Sequence, residues 1–85
     1  MNKDKIRIAI VDDHQIVIDG IKSLLQGHTD FEIVIETTDP LKMTGLLETQ
    51  QADILLTDVM MPGMNGAELA KSVRFKFPQI KILAL

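Results

Sequence analysis

Three aspartates stand where a carboxylate could do chemistry. Asp58 follows the apolar run Ile54–Thr57, and a loop with one proline and two glycines comes next. Asp12 and Asp13 follow a second apolar run, Ile6–Val11. A carboxylate at the end of a buried strand costs free energy unless it is hydrated, bound to a cation or used in a reaction. Taken alone, Asp58 could equally cap a turn, and an acid pair is common in solvated loops.

Four apolar segments alternate along the chain with three segments of helical periodicity. The predicted strands are Ile6–Val11, Phe31–Glu36, Ile54–Thr57 and Ile80–Leu85, and the predicted helices are Gln15–Gln26, Pro40–Gln50 and Gly66–Lys76. This alternation predicts an α/β fold with a parallel sheet and helices on both faces. The second strand partly alternates apolar with polar residues, so we expect it at a sheet edge with one solvated face.

Local signals mark where the predicted helices begin and end. Gly27 is placed to stop the first helix. Asp39 can cap the second helix, and Pro40 suits its first position. Asn65 can cap the third helix. On that third helix Phe75 falls opposite the apolar side, which is typical of an exposed aromatic or a contact surface.

The order of the strands decides whether the three aspartates meet. In a flavodoxin-like doubly wound sheet of order 2-1-3-4, the first and third strands are neighbours. Asp12, Asp13 and Asp58 then converge at the carboxyl edge, where like charges repel unless a cation is bound. Oxygen ligands suit Mg²⁺, which binds through one or two carboxylates, water and usually a phosphate. Aspartate also forms covalent phospho-enzyme intermediates.

His14 stands next to the acid pair and is a further candidate ligand. A hard oxygen site does not favour an imidazole nitrogen. We therefore expect His14 to make local hydrogen bonds or to face solvent, and not to bind the magnesium ion.

Composition excludes several classes of protein. The 85 residues are enough for one small domain, and a hydrophobic content of 46% predicts a core. The net charge is −3 and the basic residues are scattered, so we expect no nucleic acid to bind this segment. There is no cysteine, and no apolar run approaches the ~20 residues of a membrane span. The polar N-terminus does not resemble a signal peptide, so we expect a soluble cytoplasmic protein.

The sequence resembles the receiver domain of two-component response regulators. The matching segments are Ile10–His14, Asp58–Gly66 and Phe77–Leu83, and they follow one another at the spacing of that family. Asp12-Asp13-His14 and the segment Ile16–Ile21 are most similar to the LuxR/NarL branch.

The resemblance implies a role for each site residue. Asp58 would be the phosphoacceptor, receiving a phosphoryl group from a sensor histidine kinase. The implied magnesium ligands are Asp12, Asp13, Asp58 and the backbone carbonyl of Met60, with Asp13 the more direct ligand of the acid pair.

The resemblance also implies that residues 1–85 are part of a larger receiver domain. After Leu85 we would expect a fourth helix, a fifth strand and a fifth helix, together with a Ser or Thr that senses the phosphoryl group and a Lys. A DNA-binding output domain that regulates transcription would follow the receiver domain. We expect the fourth strand to be exposed, and also the first helix at Ile18, Leu25 or their neighbours. Both exposed surfaces should cause self-association.

Two other functions are compatible with parts of the pattern. A Mg²⁺-dependent phosphohydrolase would use the same nucleophile, but it usually carries a second aspartate two positions later, where this chain has Met60. A receiver-like module could instead bind partners without being phosphorylated. The complete set of three aspartates argues against that for the larger protein, whereas for residues 1–85 without the Ser or Thr and the Lys this alternative stays open.

Overall fold

Four strands alternate with three α-helices in the computed structural model, which describes residues 5–59 and 66–85. The elements are β1 (Ile6–Val11), α1 (Gln15–Leu25), β2 (Phe31–Thr37), a 3-10 turn (Pro40–Lys42), α2 (Met43–Thr49), β3 (Ile54–Thr57), α3 (Gly66–Lys76) and β4 (Lys81–Ala84). No helix in these two ranges is long and apolar enough to cross a membrane.

The strands form one parallel sheet in the order β2-β1-β3-β4. This confirms the flavodoxin-like order and places β2 at an edge, as predicted. Val11, the last residue of β1, pairs with Thr57 at the end of β3 and with Thr37 at the end of β2. The three strands therefore end level with one another, and the residues that follow them share one edge of the sheet.

Helices cover both faces of the sheet, and each face has its own apolar cluster. Successive side chains of a strand point to opposite faces, so an unbroken apolar run such as β1 is buried on both sides. The cluster on the α1 face is centred on Ile8, Ile10 and Ile18. The larger cluster on the opposite face includes Ala9, Val11 and Leu55 of the sheet, Met43 and Leu47 of α2, and Leu69 and Val73 of α3.

The signals predicted at the helix ends are present where the structure describes them. Gly27 has φ of 87°, a left-handed conformation that glycine adopts without strain, and it follows α1. Asp39 Oδ1 accepts a hydrogen bond of 3.0 Å from the backbone N–H of Leu41, just beyond Pro40. Phe75 is 87% exposed, as its place opposite the apolar side of α3 predicted. The predicted cap Asn65 lies outside the described residues.

Several predicted boundaries are wrong by one or more residues. The first helix ends at Leu25, because Gln26 is already extended. The second predicted helix is a 3-10 turn followed by the short α2, which ends at Thr49. β2 continues to Thr37 because that residue pairs with β1. β4 spans only Lys81–Ala84.

The prediction that Ile18, Leu25 or their neighbours are exposed is wrong for Ile18 and confirmed for the neighbours. Ile18 is fully buried against Ile8 and Ile10 and Leu25 is half-buried, whereas Ile16 and Leu24 are 78% and 76% exposed. The reason is that Ile18 lies at the centre of the narrow stripe that α1 turns toward β1, so the sheet alone covers it. Burying such a side chain stabilises the fold by about 1.5–3 kcal/mol.

Arg7 and Asp53 connect β1 to the start of β3. The Asp53 carboxylate accepts a 2.8 Å hydrogen bond from the Arg7 backbone N–H, and the Arg7 guanidinium lies 3.4 Å away. The Asp53 backbone N–H donates to the Arg7 carbonyl, and its own carbonyl accepts from Lys81. These contacts hold three strands together at the edge opposite the aspartates. The backbone bond, followed by the side-chain bond from Arg7, lowers the pKa of Asp53.

Asp53→Asn should therefore reduce stability at neutral pH and not in acid. A lowered folded pKa stabilises the protein above the unfolded value of about 3.9, and this contribution is lost as pH falls through the folded pKa. Because Asp53 is partly exposed and solvent screens the pair, the difference should stay below about 1 kcal/mol. Urea unfolding of both proteins between neutral and acidic pH measures it. A difference that persists below both pKa values would contradict this assignment.

β4 lies at a sheet edge among the residues described. Its Lys81 and Leu85 N–H groups donate to carbonyls at the two ends of β3. In such a strand the intervening residues Ile82 and Ala84 direct their N–H and C=O groups to the open side. Leu83, between them, is 51% exposed. An antiparallel pairing of two β4 strands would place Leu83 opposite Leu83 of a second copy as a non-hydrogen-bonded pair.

We expect Leu83→Cys to form a disulfide-linked dimer of the 85-residue chain. The cysteines of such a pair would have Cα atoms about 4.5 Å apart, within the range of disulfides. Since the natural chain has no cysteine, the product is unambiguous. Phe75→Cys, at a more exposed site on α3, is the matched control. Equal cross-linking of both variants, together with a monomer in sedimentation, would exclude pairing through β4.

Candidate functional site

Backbone hydrogen bonds hold Asp12 and Asp58 at the carboxyl edge of the sheet. The Asp12 N–H donates to the Thr37 carbonyl at 3.3 Å, and the Asp58 N–H donates to the Val11 carbonyl at 3.1 Å. Each bond continues the strand pairing by one residue beyond β1 or β3. The sheet therefore sets the positions of both aspartates before their side chains make any contact.

The structure brings the three predicted aspartates together with His14. Each of Asp12, Asp13, His14 and Asp58 offers one possible ligand atom, and these atoms all lie within 4.8 Å of one another. Asp12 is buried, with 3% of its surface exposed, whereas Asp13 and Asp58 are half-buried. Met60, the fourth predicted ligand, lies outside the described residues.

The acid cluster has the donor chemistry for a hard divalent cation. Asp13 Oδ1 is buried and accepts no hydrogen bond from the described part of the chain. A buried carboxylate oxygen without a donor is costly, and a cation would satisfy it. Carboxylate oxygens at the end of a sheet also match the ligand preference of Mg²⁺. The residues present thus fit a magnesium ion.

His14 is the N-cap residue just before α1 and turns back toward the acid pair. Its carbonyl accepts from the N–H of Val17 at 3.0 Å, and its own N–H donates to Asp12 Oδ1 at 2.8 Å. Its Nδ1 lies 3.1 Å from the same Asp12 oxygen and 3.0 Å from Asp13 Oδ1. The contact with Asp13 does not have the angles of a hydrogen bond. The imidazole is 63% exposed, so local hydrogen bonding and exposure are both confirmed.

The same contacts favour the protonated form of the imidazole. A carboxylate only accepts hydrogen bonds, so Nδ1 carries a proton when it bonds to Asp12. The hydrogen bond with Asp12 and then the charge of Asp13 raise the pKa of His14. No local sequence signal shows this arrangement, because it depends on the angle at which α1 leaves β1.

Gly66 lets α3 begin directly against the backbone of the site. Its N–H donates to the Val59 carbonyl at 2.8 Å. A Cβ at this position would collide with the Asp58 carbonyl oxygen and lie 2.8 Å from Val59 Cα. The Asp58 carbonyl also accepts from the Thr57 hydroxyl at 3.0 Å. The sequence marks Gly66 as a helix start and does not reveal this close approach.

The chain belongs to the response regulator receiver domain family, whose profile matches residues 8–85. It is 35% identical over 85 residues to the transcriptional regulatory protein DegU of Brevibacillus brevis, covering 100% of this chain and 36% of that protein. The chain thus spans about a third of that relative's length.

Solved structures agree with this assignment. The non-phosphorylated receiver domain of RcsB from Escherichia coli has a TM-score of 0.89 and 32% identity, over 96% of this chain and 65% of that one. The receiver domain of the putative regulator NarL from Mycobacterium tuberculosis has a TM-score of 0.87 and 29% identity, over 96% and 66%. The chain is therefore a receiver domain of a two-component response regulator of the NarL/LuxR type. Such domains are regulatory and not conventional enzymes.

Gly66→Ala should destabilise the protein, whereas Gly45→Ala should stabilise it. The first adds a methyl group against backbone atoms that cannot move away cheaply, which costs about 1–3 kcal/mol. The second adds a methyl group in open space on α2 and removes backbone entropy from the unfolded chain, a gain of about 0.5–1 kcal/mol.

Chemical unfolding of the two variants and the parent measures both effects. The Gly45 variant controls for the general consequence of placing alanine in a helix. Equal stabilisation by both substitutions would show that α3 does not approach Asp58 as closely as described.

Proposed function

We propose that Asp58 accepts a phosphoryl group from a sensor histidine kinase, with Mg²⁺ held by Asp12, Asp13, Asp58 and the Met60 carbonyl. The observation that carries this proposal is the convergence of the three carboxylates within 4.8 Å at one edge of the sheet. Membership of the receiver family supports it, because receiver domains generally bind Mg²⁺ at such a cluster.

The transfer is a substitution at phosphorus. A carboxylate oxygen of Asp58 attacks the phosphorus of a phosphohistidine, and the P–O bond forms as the P–N bond breaks. The departing imidazole recovers its electron pair and takes a proton from solvent. A bound Mg²⁺ supplies Lewis-acid stabilisation of charge on the phosphoryl oxygens. Asp58 is half-buried, so it is accessible to a donor while its backbone remains fixed to β1.

Asp12 and Asp13 have different roles in this scheme. Asp12 is buried and its Oδ1 accepts a hydrogen bond from the His14 backbone N–H, so its orientation is fixed before a cation arrives. Asp13 keeps a buried oxygen without a hydrogen-bond donor in the described ranges, which suits direct coordination. Such preorganisation lowers the cost of assembling the site during transfer.

The output of the larger protein is proposed to be transcription regulation. DegU is named a transcriptional regulatory protein, and RcsB has been solved bound to DNA. This chain spans a minor part of each. We place DNA binding outside these 85 residues, because their net charge is −3 with scattered basic residues. We also propose a cytoplasmic location, where a kinase would meet the domain.

A phosphohydrolase is less well supported by the residues. It would need a general acid two positions after the nucleophile, and Met60 has no proton to donate. The remaining alternative, a module that binds partners without phosphorylation, predicts no chemistry at Asp58 and is tested by the same experiment.

Incubation with Mg²⁺ and a small phosphodonor should produce a hydroxylamine-labile acyl phosphate on the parent protein. Asp58→Asn should abolish it, and Asp13→Asn or removal of Mg²⁺ by a chelator should slow labelling by at least about 10²-fold, since the metal stabilises the transferring group. Asp30→Asn, at an exposed turn, is the matched control and should label normally. Intact-mass and peptide mapping locate the adduct.

Two results would contradict the proposal. Equal labelling of Asp58→Asn and the parent would place the acceptor elsewhere. A folded parent that binds Mg²⁺ but never labels would favour the phosphorylation-independent module.

A further inference from the structure

The nitrogen of His14 lies at ligand spacing from two carboxylate oxygens. Its Nδ1 is 3.1 Å from Asp12 Oδ1 and 3.0 Å from Asp13 Oδ1. Neighbouring ligands around a six-coordinate ion with bonds of about 2.1 Å are about 3.0 Å apart. The nitrogen therefore already has the separation of an adjacent ligand from each of the two oxygens. One possible ligand atom from each of Asp12, Asp13, His14 and Asp58 lies within 4.8 Å of the others.

Imidazole changes which metals this cluster suits. Mg²⁺ prefers oxygen ligands, whereas imidazole together with carboxylate suits Ni²⁺, Zn²⁺ and related ions. The His14 ring is 63% exposed, so it can turn out to solvent when an oxygen-only shell is favoured. The Asp12 oxygen would keep its bond from the His14 backbone N–H at 2.8 Å in either case. One cluster can thus present two ligand sets.

We propose that His14 Nδ1, with Asp12 and Asp13, binds a divalent transition metal ion of the Ni²⁺ and Zn²⁺ class, so that His14 determines the metal preference of the site. Mg²⁺ is bound by the oxygens alone. This inference rests on the proposed function, because it uses the same metal site. It adds His14 as a ligand and ions of the Ni²⁺ and Zn²⁺ class, neither of which phosphoryl transfer requires.

Binding exchanges a proton for a metal at one nitrogen. In the metal-free arrangement Nδ1–H donates to Asp12. Coordination needs the Nδ1 lone pair, so the proton is carried on Nε2 instead, and any additional proton on the ring is released to solvent. Nε2 belongs to a mostly exposed ring, where water can accept its hydrogen bond. At Asp12 Oδ1 the metal would take the place of the Nδ1–H donor.

The test uses calorimetric titration of the 85-residue protein with Ni²⁺ alone and with Mg²⁺ alone, in a non-chelating buffer at about pH 8, above the ordinary pKa of imidazole. His14→Ala should weaken Ni²⁺ binding by about 10–100-fold and leave Mg²⁺ binding within about twofold. Asp13→Asn should weaken both metals. His28→Ala removes the other histidine, an exposed turn residue, and should change neither.

A spectroscopic measurement identifies the ligand atom directly. In protein with ¹⁵N-labelled histidine, diamagnetic Zn²⁺ should shift the Nδ1 resonance of His14 strongly and place the proton on Nε2. Mg²⁺ should leave the ring nitrogens nearly unchanged, and both His28 nitrogens should remain at their free positions. Circular dichroism of each variant confirms that it is folded.

The proposal is overturned if His14→Ala weakens Ni²⁺ and Mg²⁺ by the same factor, or weakens neither. It is also overturned if His28→Ala loses as much Ni²⁺ affinity, or if Asp13→Asn leaves Ni²⁺ binding intact. If the metal affinities are as expected but Asp58 is not labelled by the phosphodonor, only the phosphoacceptor role is contradicted. The two proposals can therefore fail separately.

Discussion

The site depends on the parallel pairing of β1 with β3. That register aligns Val11 with Thr57, so Asp12 and Asp58, the residues that follow, lie side by side at one edge of the sheet. A slip of one residue would also turn each apolar side chain of β3 to the opposite face. The apolar packing on both faces therefore enforces the pairing that places the carboxylates. Core and site are consequences of the same register.

Bringing three carboxylates together costs electrostatic free energy that the backbone must offset. Asp12 is buried and accepts two hydrogen bonds from His14, while Asp13 keeps one buried oxygen without a donor in the described ranges. Such an arrangement is held in place by the surrounding fold and becomes more favourable when a cation is bound. The repulsion among the carboxylates and the proposed binding of a cation and a phosphoryl group have one physical origin.

The first and third helices act on the site as well as on the core. α1 buries Ile18 against β1, and His14, the residue just before the helix, lies against Asp12 and Asp13. α3 buries Leu69 and Val73, which is possible only because Gly66 lacks a side chain where the helix meets the Asp58 backbone. Apolar packing thus fixes the approach of both helices, and that approach sets which polar atoms can reach the cluster.

The sequence by itself determined the alternation of strands and helices, the helix ends at Gly27 and Asp39, and the strand-end positions of the aspartates. These depend on local periodicity and turn chemistry, which act over a few residues. The strand order came from the known order of flavodoxin-like doubly wound sheets and not from any local pattern. Only the tertiary structure decided that Ile18 is buried, that the His14 ring faces Asp12 and Asp13, and that Gly66 touches the Asp58 backbone. Each of these depends on the distance and angle between elements far apart in sequence, and no local pattern encodes those quantities.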